Sequence, residues 1–483
     1  MEVRNKRLSD EEFERERKEV LGMWPTGREV DLDEAIEFHK SLLPHKNYAL
    51  KVAEAKRTGA SLIRTDSGVA PLEEEIELFR CLQDEGGADL LGTIVDSLTR
   101  ACEFQRVEEG LRESMKQGKT VINGFPIVAH GVARTRKVIE SVELPVQLRP
   151  PAVDIRLAVE IALASGHTST TGSAVSAFLN FTRDVPLERC IRNFQYVYRL
   201  MAYYQERGIP IVAEYSGTFP HIAPYSMVLA TGIITGLIGA EQGIKNIIFG
   251  IYGMPGHLVQ DVAAITTYPK LGEEYLNRFG YRNTEVAVMS SCWGGMFPED
   301  YAESFAVICL STVAGMLAHS QIIHLKTILE RKTIPTKEAN AASLRAGKKV
   351  VNMLKDQKIE LDNKAVTTEA RMLELETRAI VDRVIDLGDG DVVIGLKKAV
   401  ELGIVDQAFA TSRYVKGRVL AARDNEGAMR YFDHGNLPFT NEIVEFHRQK
   451  LAERERAQGR KIDYKTIVDD LLSISKGPLV TRY

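Results

Sequence analysis

The sequence predicts an α/β chain built on a (β/α)8 TIM barrel, flanked by an N-terminal helical extension and a C-terminal α+β lobe. From about residue 60 to 330, short apolar runs rich in β-formers alternate with longer stretches of helical period, the pattern of a parallel sheet with crossover helices. No G-x-G-x-x-G fingerprint follows the first strand, which removes the signature of an open dinucleotide-binding sheet, although a doubly wound sheet would give the same alternation. Asn123, Arg149 and Lys326 stand at the C-terminal ends of different strands, and in a barrel those ends converge on one site.

The strand candidates in order are Ala60–Thr65, Asp89–Ile94, Thr120–Gly124, Pro145–Arg149, His167–Thr171, Ile209–Glu214, Asn246–Ile251, Glu285–Ser290 and Gln321–Lys326. A barrel needs eight staves, so one of these lies outside it. His167–Thr171 lacks an apolar core and is the one expected to drop out. Before the barrel, DEEFERERKEV reads as a charged helix from Ser9 to about Leu21. Beyond about residue 340 the texture changes. A charged helical tract over Glu338–Asp356 and Thr367–Leu387 leads into DGDVVIGLKKAVELGIV, a strand-then-helix pattern. RDNEGAMRYF then reads as a turn between two short runs, and Asn441–Gln458 as a charged helix. The division predicted is a helical extension over 1–58, the barrel over 59–360 and the C-terminal lobe over 361–483.

At 483 residues the chain can bury a large core. Hydrophobic residues make up 44 % and charged residues 27 %, with a formal net charge of -4, a balance that argues against nucleic-acid or anionic-membrane partners. Five widely spaced cysteines with no C-x-x-C fit a reducing compartment. No apolar run reaches the roughly 20 residues of a membrane span, and the first residues lack the apolar core of a signal peptide. A soluble, cytoplasmic protein is expected. The ten histidines show no H-E-x-x-H or other ligand spacing, so no protein-ligated metal is expected. The G-x-S-x-G elbow and the phosphate-binding P-loop are absent as well.

Taken singly, the polar candidates have bland explanations. Arg100, in SLTRACEF, would ordinarily be a solvated helix arginine. Arg149 is sharper: it ends the apolar run PVQLR, and Pro150–Pro151 stop the strand, so its guanidinium sits where it could fork a carboxylate. Asn123 in VINGFP could simply form an Asn-Gly turn. Lys326 and Glu330 could be an i,i+4 surface pair, in the less favourable order. WGGMFPED places two glycines and aromatics where a flat ligand could approach the backbone.

Together, however, WPTGREVDL from Trp24, LQDEGGAD (Leu82–Asp89), NGFP (123–126), GGMFP (294–298), IPTKEANAA (334–342), RDN (423–425) and GNLPF (435–439) resemble the epsilon subunit of the glutamate (methylaspartate) mutase family from end to end. The resemblance implies an adenosylcobalamin-dependent isomerase that converts L-glutamate to 3-methylaspartate by a radical carbon-skeleton rearrangement. It implies a barrel whose mouth is capped by a small subunit, which carries cobalamin through a D-x-H-x-x-G histidine absent from this chain. Two copies of each subunit would form a heterotetramer. Position by position, Gly68, Asn123, Phe297, Lys326, Glu330 and Ile334 match cofactor-lining positions, with Lys326 and Glu330 near the adenosyl ribose. Arg100 and Arg149 match two of three arginines that clamp substrate carboxylates.

The substrate positions then depart. The third arginine is Asp66 here, with Arg64 two residues away at the same strand parity. The glutamate that meets the substrate amino group is Thr171, and the two substrate tyrosines are Ala177 and Phe181. The histidine after the strand-end arginine is Pro150, and a cofactor-contacting proline is Asn180. An aspartate for an arginine in a closed pocket reverses the local charge against a dicarboxylate. A mutase acting on a smaller or less polar acid, with one carboxylate on Arg100 and Arg149, is therefore expected. The alternatives are an ordinary glutamate mutase in which Arg64 replaces the lost arginine, a non-catalytic ligand-binding barrel, and an unrelated enolisation or aldol barrel in which Lys326 would form a Schiff base.

Overall fold

The computed structural model describes residues 3–330, 332–357, 359 and 363–482. Eight parallel strands close into a barrel in chain order: β1 Leu62–Ser67, β2 Leu90–Ile94, β3 Val146–Arg149, β4 Ser169–Thr171, β5 Val212–Ser216, β6 Asn246–Ile251, β7 Glu285–Ser291 and β8 Ile322–Leu325, with β8 pairing back onto β1. Helices between successive strands form the outer ring, as right-handed crossovers require.

Two expectations are corrected. His167–Thr171 does supply a stave, β4, and Thr120–Gly124 does not. The second segment cannot enter the sheet because β2 pairs directly with β3, Leu91 against Val146. The residue after it, Phe125, makes one isolated bridge to Val95, while the Thr120 hydroxyl turns away to accept from the Ala70 amide at 2.9 Å. β4 lacks an apolar run because its inward positions, Ser169 and Thr171, face the polar layer of the lumen and the cavity above it. The β-branched Thr170 and Thr171 still suit a strand.

The interior is layered by strand parity. At the N-terminal end Leu62, Leu90, Val212, Ile248, Met289 and Ile322 form a dry plug, closed from below by Tyr48. Tyr48 opens the helix Tyr48–Thr58, whose first amide donates to the Thr168 hydroxyl at 2.8 Å. Two residues further along each strand the layer turns polar: Arg64, Gln147, Ser169, Glu214, Ser291 and His324. Arg64 on β1 reaches Glu214 on β5 at 3.1 Å, a contact possible only across the lumen. Gly92 lies on the same inner face, where a methyl group would meet the Asp66 carboxylate at 2.4 Å.

After the barrel, the helix Lys337–Leu354 packs on the helix preceding β8, Tyr301–Leu317, and the helix following β1, Leu72–Asp84, and Lys364–Leu387 packs across Tyr225–Gln242 and Leu258–Arg278. The lobe boundary expected near residue 360 falls outside the described residues. DGDVVIGLKKAVELGIV forms no strand. Asp391 accepts from the amides of Val393 and Ile394 at 2.9 and 3.1 Å and starts the helix Val392–Leu402 immediately, so the cap overrides the β-branched run. β9 Leu420–Arg423 and β10 Met429–Asp433 form the hairpin expected around RDNEGAMRYF, and Asn441–Gln458 is a helix. Arg423 donates to Pro255 O at 2.8 Å and Gln260 accepts from the Met429 amide at 2.9 Å, which fastens the hairpin to the barrel. Among the described residues no helix is long and apolar enough to cross a membrane.

Candidate active site

A cavity of about 490 Å³ opens at the C-terminal ends of the strands, the face on which barrel chemistry is placed. Of the residues singled out in the sequence, Asp66, Gly68, Arg100, Asn123, Arg149, Thr171, Ala177, Phe181, Lys326, Glu330 and Ile334 line it. Arg64, Asn180 and Phe297 do not.

Arg64 has the right parity but lies one layer too deep. It is fully buried and donates to Tyr48 Oη at 2.7 Å, to Glu214 at 3.1 Å, to Tyr252 Oη at 3.2 Å and to Gln147. Those bonds commit it to the barrel core, so it does not reach into the cavity as a replacement clamp. Asn180, at the end of the helix Ala174–Asn180, accepts from Gln407 at 2.9 Å and its backbone oxygen accepts from Thr411 at 2.9 Å. It joins barrel to lobe. Phe297 is packed in the main core, and Gly294 closes against Gly253 and His221 instead of leaving space for a ligand.

The cavity floor holds a network that the sequence reading missed. Asp66 contacts Arg149 Nε at 2.8 Å and His324 Nε2 at 2.9 Å, and Glu214 accepts from Arg149 Nη1 at 2.8 Å. Tyr252 bonds both Glu214 and Arg149, and the Arg149 guanidinium lies 4.6 Å from its ring centre. Tyr252 stands just beyond β6, and Glu214 and His324 lie within β5 and β8, all on the inward face that Arg149 shares, so reading every strand at that parity would have found them. Arg149 is thus held by two carboxylates, leaving Nη2 for a ligand. Burial disfavours charge on all these groups, but for Arg149 and the two carboxylates mutual attraction wins. Arg149 is raised above the ordinary arginine value, Asp66 is held well below the carboxylate range by Arg149 and Arg64, and Glu214 is lowered by Arg64 and Arg149.

Ser291, His324 and Asp66 form a Ser-His-Asp array, with Ser291 Oγ 2.7 Å from His324 Nδ1. Burial lowers His324 despite Asp66, so the ring is neutral. Asp66 can only accept, so the proton resides on Nε2 and Ser291 donates to Nδ1. Ser291 is fully buried and does not line the cavity. The array fixes the imidazole and offers no nucleophile.

Arg100 is different. It ends the one-turn helix Ser97–Arg100, capped by Asp96, and makes no ion pair among the described residues. Its Nε is buried without a hydrogen-bond partner, and burial pulls its pKa below the ordinary value. Among the described residues Asp96 alone offsets the burial of this cation on the cavity wall, a setting suited to an anion.

On the other wall Lys326 Nζ lies 2.9 Å from Glu330 Oε1. The pair spans a turn after β8 and not a surface helix, and the Lys326 amide donates to Cys292 Sγ at 3.0 Å, which fixes where the turn begins. A cation beside a carboxylate donates to and accepts from adjacent hydroxyls, so the pair suits a ribose. Gly68 permits the chain after β1 to lie against the Asn123 loop: a methyl group there would meet Ile94 O at 2.6 Å and the Phe125 amide at 2.9 Å.

The buried histidines set the acid limit of the fold. Burial pushes His39, His130 and His167 down to about 4, each with a ring nitrogen on a backbone carbonyl, and His324 is also lowered. Their folded values lie below the unfolded value near ~6.5, so the stability they contribute is present above that pH and is lost as pH falls toward 4. Asp66 and Glu214, also depressed, add a further loss below about pH 4. Buried Asp261, raised to about 7, and Glu75 and Glu160, also raised by burial, gain stability as pH falls and offset part of this loss; with four histidines and two paired carboxylates against them, thermal midpoints should fall below about 6.5. A midpoint unchanged between pH 7 and 5 would contradict this account.

The methylaspartate mutase E chain family model matches residues 42–483. The glutamate mutase epsilon subunit of Desulfitobacterium hafniense (strain Y51) is 42 % identical over 100 % of this chain and 99 % of its own length. That of Treponema denticola is 40 % identical over the same shares, and that of Escherichia coli O157:H7 is 37 % identical over all of both chains.

Proposed function

This chain belongs to the methylaspartate mutase E chain family, the glutamate mutase epsilon subunits, and from that premise we propose that it rearranges the carbon skeleton of a small acid other than L-glutamate. The family is one of adenosylcobalamin-dependent isomerases, and the chain is its catalytic, barrel-forming subunit. The observation that carries the proposal about substrate is the pairing of Asp66 with Arg149 at 2.8 Å. Where the resemblance leads one to expect a third arginine, an aspartate instead occupies the guanidinium that would have gripped a second carboxylate.

In this reading Lys326, Glu330, Asn123, Gly68 and Ile334 receive the adenosyl group, and Arg100 with the free edge of Arg149 receives one substrate carboxylate. Adenosylcobalamin, when bound, supplies the organic radical that takes a hydrogen atom from the substrate. The chain's own part is to hold the acid at contact distance and keep water away. Arg100 binds and orients. The network of Asp66, Glu214, Tyr252 and His324 keeps Arg149 fixed and leaves no proton free to move at its carboxylates. A small cobalamin-carrying subunit with D-x-H-x-x-G would cap the mouth and bring the cobalt ligand, in a heterotetramer. The same reading divides the chain into a helical extension, a barrel and a C-terminal lobe that braces it.

The test is turnover. With the small subunit and adenosylcobalamin, the purified chain should form 3-methylaspartate from L-glutamate at least 100-fold more slowly than a family enzyme assayed beside it, since losing one charge-assisted clamp costs on the order of 3 kcal/mol. Equal rates would refute the altered substrate and restore the ordinary glutamate reaction.

A further inference from the structure

Resting on the mutase reading, we infer that the substrate is a hydroxy-substituted monocarboxylic acid without an ammonium group. The inference comes from counting which cavity groups are still free to bind. Two carboxylates line the cavity, Asp66 and Glu330, and both are engaged, by Arg149 and His324 and by Lys326. An ammonium group entering here would find no anion of its own, and a buried cation without one is strongly disfavoured. Among the described residues that line the cavity one cation, Arg100, makes no ion pair, which sets the ligand's charged groups at a single carboxylate.

Apart from the Asn123 amide, already given to the adenosyl group, the remaining open groups are hydroxyls. Thr171, at the end of β4, and Ser216, at the end of β5, both line the cavity, and their side-chain oxygens have no hydrogen-bond partner among the described residues. These two strands are neighbours, with Thr171 in register with Glu214, two residues before Ser216. A hydroxyl both donates and accepts, so a ligand hydroxyl can pair with either side chain in either sense, whereas an ammonium can only donate. Ala177 and Phe181 complete this wall without charge. The cavity therefore holds one anionic end and one neutral hydrogen-bonding end.

Calorimetric titration of the full-length chain with 2-hydroxypentanoate, pentanoate, 2-aminopentanoate and L-glutamate separates the possibilities. The hydroxy acid should bind about tenfold more tightly than pentanoate, the worth of one hydrogen bond, and both amino acids at least tenfold more weakly than the hydroxy acid. Thr171→Val, close in shape, should bring the hydroxy acid and pentanoate within about twofold of each other. An amino acid that binds as tightly as the hydroxy acid, or a hydroxy preference untouched by Thr171→Val, overturns the inference. Turnover by the complete enzyme then keeps the two readings apart. If the hydroxy acid binds in this pattern and no small hydroxy acid is rearranged, the mutase reading fails and the ligand class stands. If L-glutamate binds better and is rearranged, the ligand class and the altered substrate fail together; if a small acid other than L-glutamate that bears no hydroxyl is rearranged, the ligand class alone fails.

Discussion

Glu214→Gln should destabilise the chain by about 3–5 kcal/mol, the cost of removing one partner from a buried ion pair. Glu214 is fully buried and neutralises two guanidiniums, accepting from Arg64 Nη1 at 3.1 Å and Arg149 Nη1 at 2.8 Å, and it also accepts from Gln147 at 3.1 Å. The glutamine keeps the shape and loses the charge, which leaves Arg64 and Arg149 to share Asp66. For a chain of this length the thermal midpoint should fall by about 3–5 °C if it unfolds as one unit, measurable by calorimetry. An unchanged midpoint would show that the buried charges are not mutually compensated. Tyr252→Phe, which removes one hydroxyl and no charge, should cost less, about 1–2 kcal/mol.

Arg100→Met should give the opposite pair of results. Its guanidinium has no ion pair among the described residues and its Nε is buried unbonded, so the folded chain loses only the Coulombic pull of Asp96, which burial of the cation already outweighs. Stability should stay level or rise slightly, the signature of a group placed for binding at the expense of folding. Affinity for the substrate carboxylate should drop about 100- to 1,000-fold, the worth of a bidentate charge-assisted contact. Paired melting curves and titrations check this. A variant that both melts early and binds normally would make Arg100 a structural residue.

The contrast between these two arginine environments explains what the sequence could and could not show. Alternation of apolar runs gave the barrel, and the end-to-end motifs gave the family, because each is written in local residue order. The residues lining the cavity could be named in advance where a strand end or a motif marked them, as at Arg149, Asn123 and Lys326. Arg64 stayed open as a replacement clamp because parity tells which way a side chain faces and not how deep its layer lies. Glu214 and Tyr252 went unnoticed because their importance arises from pairing across the lumen, between strands far apart in sequence. β4 was discounted for the same reason: its polar residues look wrong for a stave until the interior they face is known to be polar. Asn180 and Phe297 followed the family pattern into positions that here serve the joint with the lobe and the core.

A crystal structure of the chain with a bound small acid tests the central claim most directly, through the atoms that Arg149 and Arg100 hold. The account predicts the carboxylate on Arg100, with Arg149 still bonded to Asp66 and Glu214. Arg149 withdrawn from Asp66 and forked onto a second carboxylate of the ligand would contradict it.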